Sequence, residues 1–201
     1  MISPAVSLGF RIKSGYAVVV MLGGSRQTPS AVARRIVELS DPHVAATRQP
    51  YHAGSGKEED DAREIARRIR IVEHCAARAI ATLMREACGG RPGGPGARNG
   101  ARHAGLVVGS QIDPQQVGNP HIRAHASEGR LFRTVVEDAL RAHGVSATIF
   151  VERDLAAAAA DTLRQDERAI GQVLDGFGKV LGRPWRADEK AAAIAAWIAL
   201  D

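Results

Sequence analysis

No acidic residue occurs before Glu38. Any chemistry in that first stretch that needs a carboxylate must borrow it from elsewhere in the chain. Aromatic residues are scarce at 4%, so the core has to be built from Ala, Val, Leu and Ile. Lysine is limited to Lys13, Lys57, Lys179 and Lys190, which leaves arginine to carry nearly all the positive charge. The two cysteines, Cys75 and Cys88, have no metal-ligand spacing and form no disulfide framework, so both are expected to be reduced. No apolar run reaches the roughly 18 residues of a membrane span. No charged segment followed by an apolar stretch and a cleavage site opens the chain. A cytoplasmic protein is the expectation from these absences.

The 201 residues, 45% of them hydrophobic, suit one folded domain over 1–201 rather than a disordered chain. Roughly 70% of the unfolded surface is buried at this size. The formal charge of +5 and the pI near 9.8 permit a polyanionic partner. An Arg- and Ala-rich composition also follows from codon bias alone, so charge by itself does not select that partner.

Along the chain, Ala5–Ile12 and Tyr16–Leu22 read as extended segments around a Lys13-Ser14-Gly15 turn. Ser30–Leu39 alternates as a third strand. Asp41–Lys57 is a loop that holds His43, Tyr51 and His52. From Glu58 to Cys88 the period becomes helical, with Ile65, Ile69, Val72, Ala76, Ala79 and Leu83 on one stripe and Arg63, Arg67, Arg70 and Arg78 off it. Residues 89–105, rich in Gly, Pro and Arg, read as a flexible loop. Leu106–Ile112 is a short apolar strand. Asn119-Pro120 combines an N-cap with a first-turn proline and predicts a helix to Ala142. Val145–Val151 follows as a second buried strand, and helices fill Leu155–Arg164, Gln165–Leu181 and Ala187–Leu200.

The predicted fold is therefore α/β: a mixed five-stranded sheet, element order βββαβαβα, with helices on both faces. Strands one to three are antiparallel neighbours, and the last two are parallel. That order is similar to the ribonuclease H-like superfamily, nearest to its Holliday-junction resolvase branch. The segments Leu8-Gly9-Phe10 and Ser14-Gly15-Tyr16-Ala17-Val18-Val19 resemble the branch's first strand and the start of its second. Arg186-Ala187-Asp188-Glu189-Lys190-Ala191 resembles the start of its last helix. The resemblance implies two divalent metals, Mg or Mn, held by acids from strand one, strand four and the last helix. This chain departs from that pattern. Strand one has no acid, Gly109–Gln111 offers no carboxylate at the strand-four position, and Ala191 stands where the second helix acid is expected. Only Asp188 matches.

The densest polar cluster is Ser110-Gln111-Ile112-Asp113 followed by Gly118-Asn119-Pro120-His121. It follows a strand and opens a helix, a place where α/β proteins bind anions. Ser110, Asn119, His121, Arg123 and Arg153 are the candidate ligand-binding residues, and Asp113, Glu152 and Asp188 the candidate catalytic acids. His121, His125 and Glu128 lie along one side of the same helix and form a candidate metal set. His125 also sits between Ile122 and Gly129 on the stripe read as apolar, where a hydrogen-bonded core histidine is the plainer expectation. His52, in the loop segment Gln49-Pro50-Tyr51-His52-Ala53-Gly54, is a further residue able to approach the site, with no sequence pattern that places it there. Gly54-Ser55-Gly56-Lys57 is rejected as a phosphate loop, because Glu58 replaces the Ser/Thr and no strand leads into it.

Three functional expectations follow. The first is a ribonuclease H-like domain that binds nucleic acid or another phosphate-bearing ligand without two-metal nuclease chemistry. The second is a metal-dependent nuclease or phosphoesterase with a rearranged site. The third is a structural or assembly domain, with the Ala-rich helices as a homodimer face.

Overall fold

The computed structural model describes residues 6–53, 57–87 and 100–201. Five strands form one sheet in the order β3-β2-β1-β4-β5. They are β1 (Val6–Lys13), β2 (Tyr16–Gly24), β3 (Pro29–Glu38), β4 (His103–Val108) and β5 (Ser146–Val151). Strands β1 to β3 pair antiparallel. Strands β1, β4 and β5 pair parallel, with Phe10 opposite Leu106 and Leu106 opposite Ile149. The helices are α1 (Ala62–Ala87), α2 (Pro120–Ala142), α3 (Leu155–Leu163), α4 (Glu167–Leu181) and α5 (Ala187–Ile198).

The alternation of β1 decides which layer covers which face, since successive side chains point to opposite sides of a sheet. Leu8, Phe10 and Ile12 join one core with Val72, Ala76 and Ile80 of α1 and Phe132, Val136 and Leu140 of α2. On the other face Ser7 and Gly9 meet α5. The Ser7 hydroxyl donates to the Ala196 carbonyl at 2.7 Å. A Cβ on Gly9 would stand 1.9 Å from the Ala192 carbonyl oxygen, and one on Gly105 would stand 2.6 Å from that of Ala195. Backbone therefore lies directly on backbone, and only glycine fits these positions. Strand β2 is apolar throughout because both of its faces are covered: Ala17, Val19 and Met21 enter the first core, Val20 and Leu22 the second.

Several boundaries differ from the sequence expectations. The supposed loop 89–105 gives its last residues to β4, which begins at His103 and ends at Val108 rather than at Ile112. Gly105 looks like a loop residue but is a strand residue stripped of its side chain by α5. Residues 88–99, with Cys88, and 54–56 lie outside the described residues. Strand β5 is a half-buried edge strand, not a strand buried on both faces. The loop after β3 contains a 3-10 turn at Ala45–Arg48. On α2 the expected inward stripe of Ile122, Gly129, Phe132, Val136 and Ala139 holds from Phe132 onward, whereas in its first turns Ala124 and Glu128 are buried and Gly129 is exposed. Ile122, expected inward, is 51% exposed.

Candidate functional site

The parallel strands β1, β4 and β5 end on one side of the sheet, the side where α/β proteins place their sites. Arg11, on the α5 face of β1, is buried there. Its guanidinium reaches Glu152 just beyond β5 at 2.5 Å and Asp188 of α5 at 3.5 Å. It also donates to the backbone carbonyls of Ile12 and Val107. Lys13, two residues on and on the same face, holds Asp188 at 3.0 Å. Two cations and two carboxylates thus close on one another, with no net charge left over.

This geometry does not fit the pair of divalent ions that the resolvase resemblance implies. Arg11 follows directly on Leu8-Gly9-Phe10, where that resemblance calls for a strand acid. It supplies from the protein the positive charge that a metal ion would otherwise bring to Asp188, and it also holds Glu152, an acid outside the pattern of that resemblance. Two-metal chemistry needs ionised oxygens free to coordinate, and here both acids are committed to side-chain cations.

The remaining candidates do not join this crevice. Asp113 caps the 3-10 turn at Pro114–Gln116 by accepting from the Gln115 N–H and lies 3.7 Å from Arg130. Ser110 shares with Asp113, Arg130 and Arg133 a separate depression of about 200 Å³. Asn119 caps α2 through the Ile122 N–H at 3.1 Å, so part of the helix N-terminus is already satisfied. Arg123 grips Glu58 with both prongs of its fork, at 2.9 and 2.6 Å, and those hydrogen bonds hold the Glu58 carboxyl below its ordinary range. Neither Asn119 nor Arg123 is an open anion ligand. Arg153 is 84% exposed and only loosely paired with Asp154.

A second constellation forms on the α1/α2 face of the sheet. His121 and His125, one turn apart on α2, bring their Nε2 atoms to 3.2 Å. His52 arrives from the loop after β3, its ring tilted against that of His125 at 4.5 Å and edge-on to that of His121 at 5.2 Å. Glu128 is fully buried behind them. Its Oε1 meets His52 Nδ1 at 2.7 Å, and its Oε2 faces His125 Nδ1 at 3.6 Å. Burial pushes the Glu128 carboxyl up, against hydrogen bonds from His52 and the Tyr51 backbone that draw it down.

The His52 loop is anchored from below by Arg68, a buried residue of α1. Arg68 donates to the carbonyls of Pro50 and His52 and bonds the carboxylates of Glu59 and Glu64. A bridge between His52 and Glu58 fastens the other side of the loop. His125 is thus no core histidine, because its side chain is 48% exposed, and the buried member of the set is Glu128. Of the residues that organise these sites, Arg11 is not among the sequence candidates, and His52 is named there only as a loop residue able to approach the site. A signal for Arg11 is present in the strand Val6–Lys13: it and Lys13 are the two charges, on a face whose other positions, Ser7 and Gly9, are small.

The sheet order and helix placement are those of the ribonuclease H-like fold. Among solved structures, the chain is similar to Thermus thermophilus RuvC in complex with a Holliday junction substrate. The TM-score is 0.52 at 10% identity, over 96% of this chain and 91% of that one. A second Thermus thermophilus RuvC structure gives 0.52 at 11% identity, over 96% and 92%. The yeast mitochondrial Holliday junction resolvase Ydc2 gives 0.46 at 8% identity, over 99% and 82%. No family model and no curated protein matches the sequence. Among the described residues no helix is long and apolar enough to cross a membrane.

Proposed function

We propose that this domain binds nucleic acid through its phosphates and does not cut it by two-metal hydrolysis. The observation that carries this reading is Arg11, which occupies the strand-end crevice and engages both Glu152 and Asp188. A crevice whose acids are neutralised from within no longer repels a phosphate backbone. Around it, Arg153 beside Glu152 and Arg186 two residues before Asp188 are exposed. They add exposed positive charge next to the two paired acids, and the chain as a whole carries +5. The likeness in fold to a resolvase solved on a DNA junction supports the choice of nucleic acid over a small phosphate ligand.

The test is fluorescence anisotropy with labelled single-stranded DNA, duplex DNA, a four-way junction and RNA, over a salt series. Binding is expected to weaken with salt at a slope of roughly −0.9 per duplex phosphate contacted and −0.7 per single-strand contact. Arg153→Glu with Arg186→Glu is expected to weaken all forms about tenfold or more. Nuclease assays with magnesium or manganese are expected to show no cleavage. Absence of binding to every probe at low salt would sink the proposal. Light scattering of the complexes shows whether one chain or a homodimer engages each probe.

A further inference from the structure

Buried polar groups in folded proteins have partners, and those that lack one call for a specific explanation. Two such atoms belong to the histidine constellation. His52 Nε2 and Glu128 Oε2 are both buried and have no hydrogen-bond partner among the described residues. Glu128 also places a carboxylate at a fully buried position where the groups facing it are two imidazoles and the Tyr51 backbone. A carboxylate buried there calls for donors or a cation close by.

One occupant answers both deficits. We infer that His52, His121 and His125 bind a divalent ion of the zinc class, with Glu128 as the carboxylate that orients His52. One ligand nitrogen from each of the three histidines lies within 4.8 Å of the other two. A tetrahedral zinc ion with Zn–N bonds of about 2.0–2.1 Å requires its ligand nitrogens to lie about 3.3 Å apart. His121 and His125 already stand at 3.2 Å. His52, with a ligand nitrogen within 4.8 Å of both, has to move closer to complete the set, and its nitrogen without a hydrogen-bond partner is the one opposite the Glu128 bond.

That arrangement is the carboxylate–histidine–metal relay, in which a second group fixes the tautomer and orientation of the ligand. Here Glu128 holds His52 Nδ1, so Nε2 is left as the lone-pair donor. Its other oxygen faces His125 Nδ1 and can serve a second ligand in the same way. The donor set of three imidazoles suits zinc or cobalt and does not suit magnesium, which takes oxygen ligands. Because His121 and His125 are exposed, a fourth position opens to solvent, as in sites that keep a bound water. The inference does not depend on nucleic-acid binding, since the ligands lie on the face of the sheet opposite Arg11.

The test uses the full chain, stripped with a chelator and titrated with zinc alone by calorimetry, with cobalt absorption as a second readout. One equivalent is expected to bind, and cobalt is expected to give the intense visible spectrum of a four-coordinate site. His121→Ala and His125→Ala remove exposed groups, so the fold should survive, and each is expected to weaken zinc binding about 100-fold. Glu128→Gln is expected to keep the stoichiometry and weaken binding about 10- to 100-fold. Failure of the folded chain to bind zinc stoichiometrically would overturn the inference. So would unchanged zinc affinity in the His121→Ala, His125→Ala double variant, because the ion would then sit elsewhere. A zinc result of either sign leaves the nucleic-acid proposal standing, because that proposal is read from anisotropy on another face.

Discussion

Two charge constellations flank the same sheet, and they are built to opposite ends. Beside α5, Arg11 and Lys13 meet Glu152 and Asp188, and every charged group has an opposite charge within 3.5 Å. Between α2 and the loop after β3, Glu128 is buried with two histidines, and two polar atoms are left without partners. The first constellation balances its charges within the protein, although the buried Arg11 Nε has only the 3.5 Å ion pair to Asp188 and no hydrogen bond, whereas the second buries a carboxylate among imidazoles. The presence of acids does not mark the reactive place in this molecule. What marks it is whether the protein has already spent their charge on itself.

The sharpest way to break this contrast is to remove the cation that closes the crevice. Arg11→Met preserves length and apolar bulk but leaves Glu152 and Asp188 without their shared partner. Breaking a buried ion pair costs about 3–5 kcal/mol. Since Glu152 is 48% and Asp188 31% exposed, solvent screening reduces the expected loss to about 2 kcal/mol, read by urea denaturation. The freed acids should then respond to magnesium, which is expected to raise the melting temperature of the variant but not that of the parent chain. Equal stabilisation of both would show that Arg11 does not close the crevice.

A smaller effect should differ in sign between the two sites. Without metal, Glu128→Gln removes a buried charge and is expected to be neutral or stabilising by up to about 1 kcal/mol. Glu152→Gln removes one arm of a balanced cluster and is expected to destabilise by about 0.5–1 kcal/mol. Paired thermal melts in chelator compare the two directly, and equal signs would erase the distinction drawn here.

The smallest effect concerns the support of the His52 loop. Hydrogen bonds from Arg67 and Arg68 bring the Glu64 carboxyl from 4.5 to about 2. A carboxyl lowered by folding adds stability above its unfolded pKa and loses it as the pH falls through the folded one. The contribution from Glu64 is therefore present above about pH 4.5 and disappears between there and about pH 2. An NMR titration of the Glu64 carboxyl should show the low midpoint, and Arg67→Ala should move it upward.

Local signals were legible in the sequence, while contacts between distant segments were not. The start of α2 could be read from Asn119-Pro120 because a cap and its helix are neighbours in the chain. The sheet could be read because the apolar periods of β1, β2, β4 and β5 are local, and chain connectivity limits how such strands assemble. Glu152 and Asp188 could be singled out, but not the side chain that binds both, since Arg11 and Glu152 are 141 residues apart. His52 lies 76 residues before Glu128 in a loop with no periodicity to orient it. On α2 the inward residues Phe132 and Val136 are legible, but the first turns are not: Glu128 counts as polar in any hydropathy pattern, yet it is the most deeply buried side chain of its turn, while Ile122 is exposed.

The meeting of Gly9 and Gly105 with Ala192, Ala195 and Ala196 has a consequence for the crevice as well as for packing. At these positions alanine is set by clearance rather than by codon usage, because a larger side chain would push helix and strand apart. Helix α5 also carries Asp188 at its first turn, so its seating height fixes how far that carboxylate stands above Arg11 and Lys13. The glycines act as a mechanical stop. The gap at the strand ends has a width machined into the backbone, and it cannot open for a bulkier guest unless the whole helix lifts off its bed.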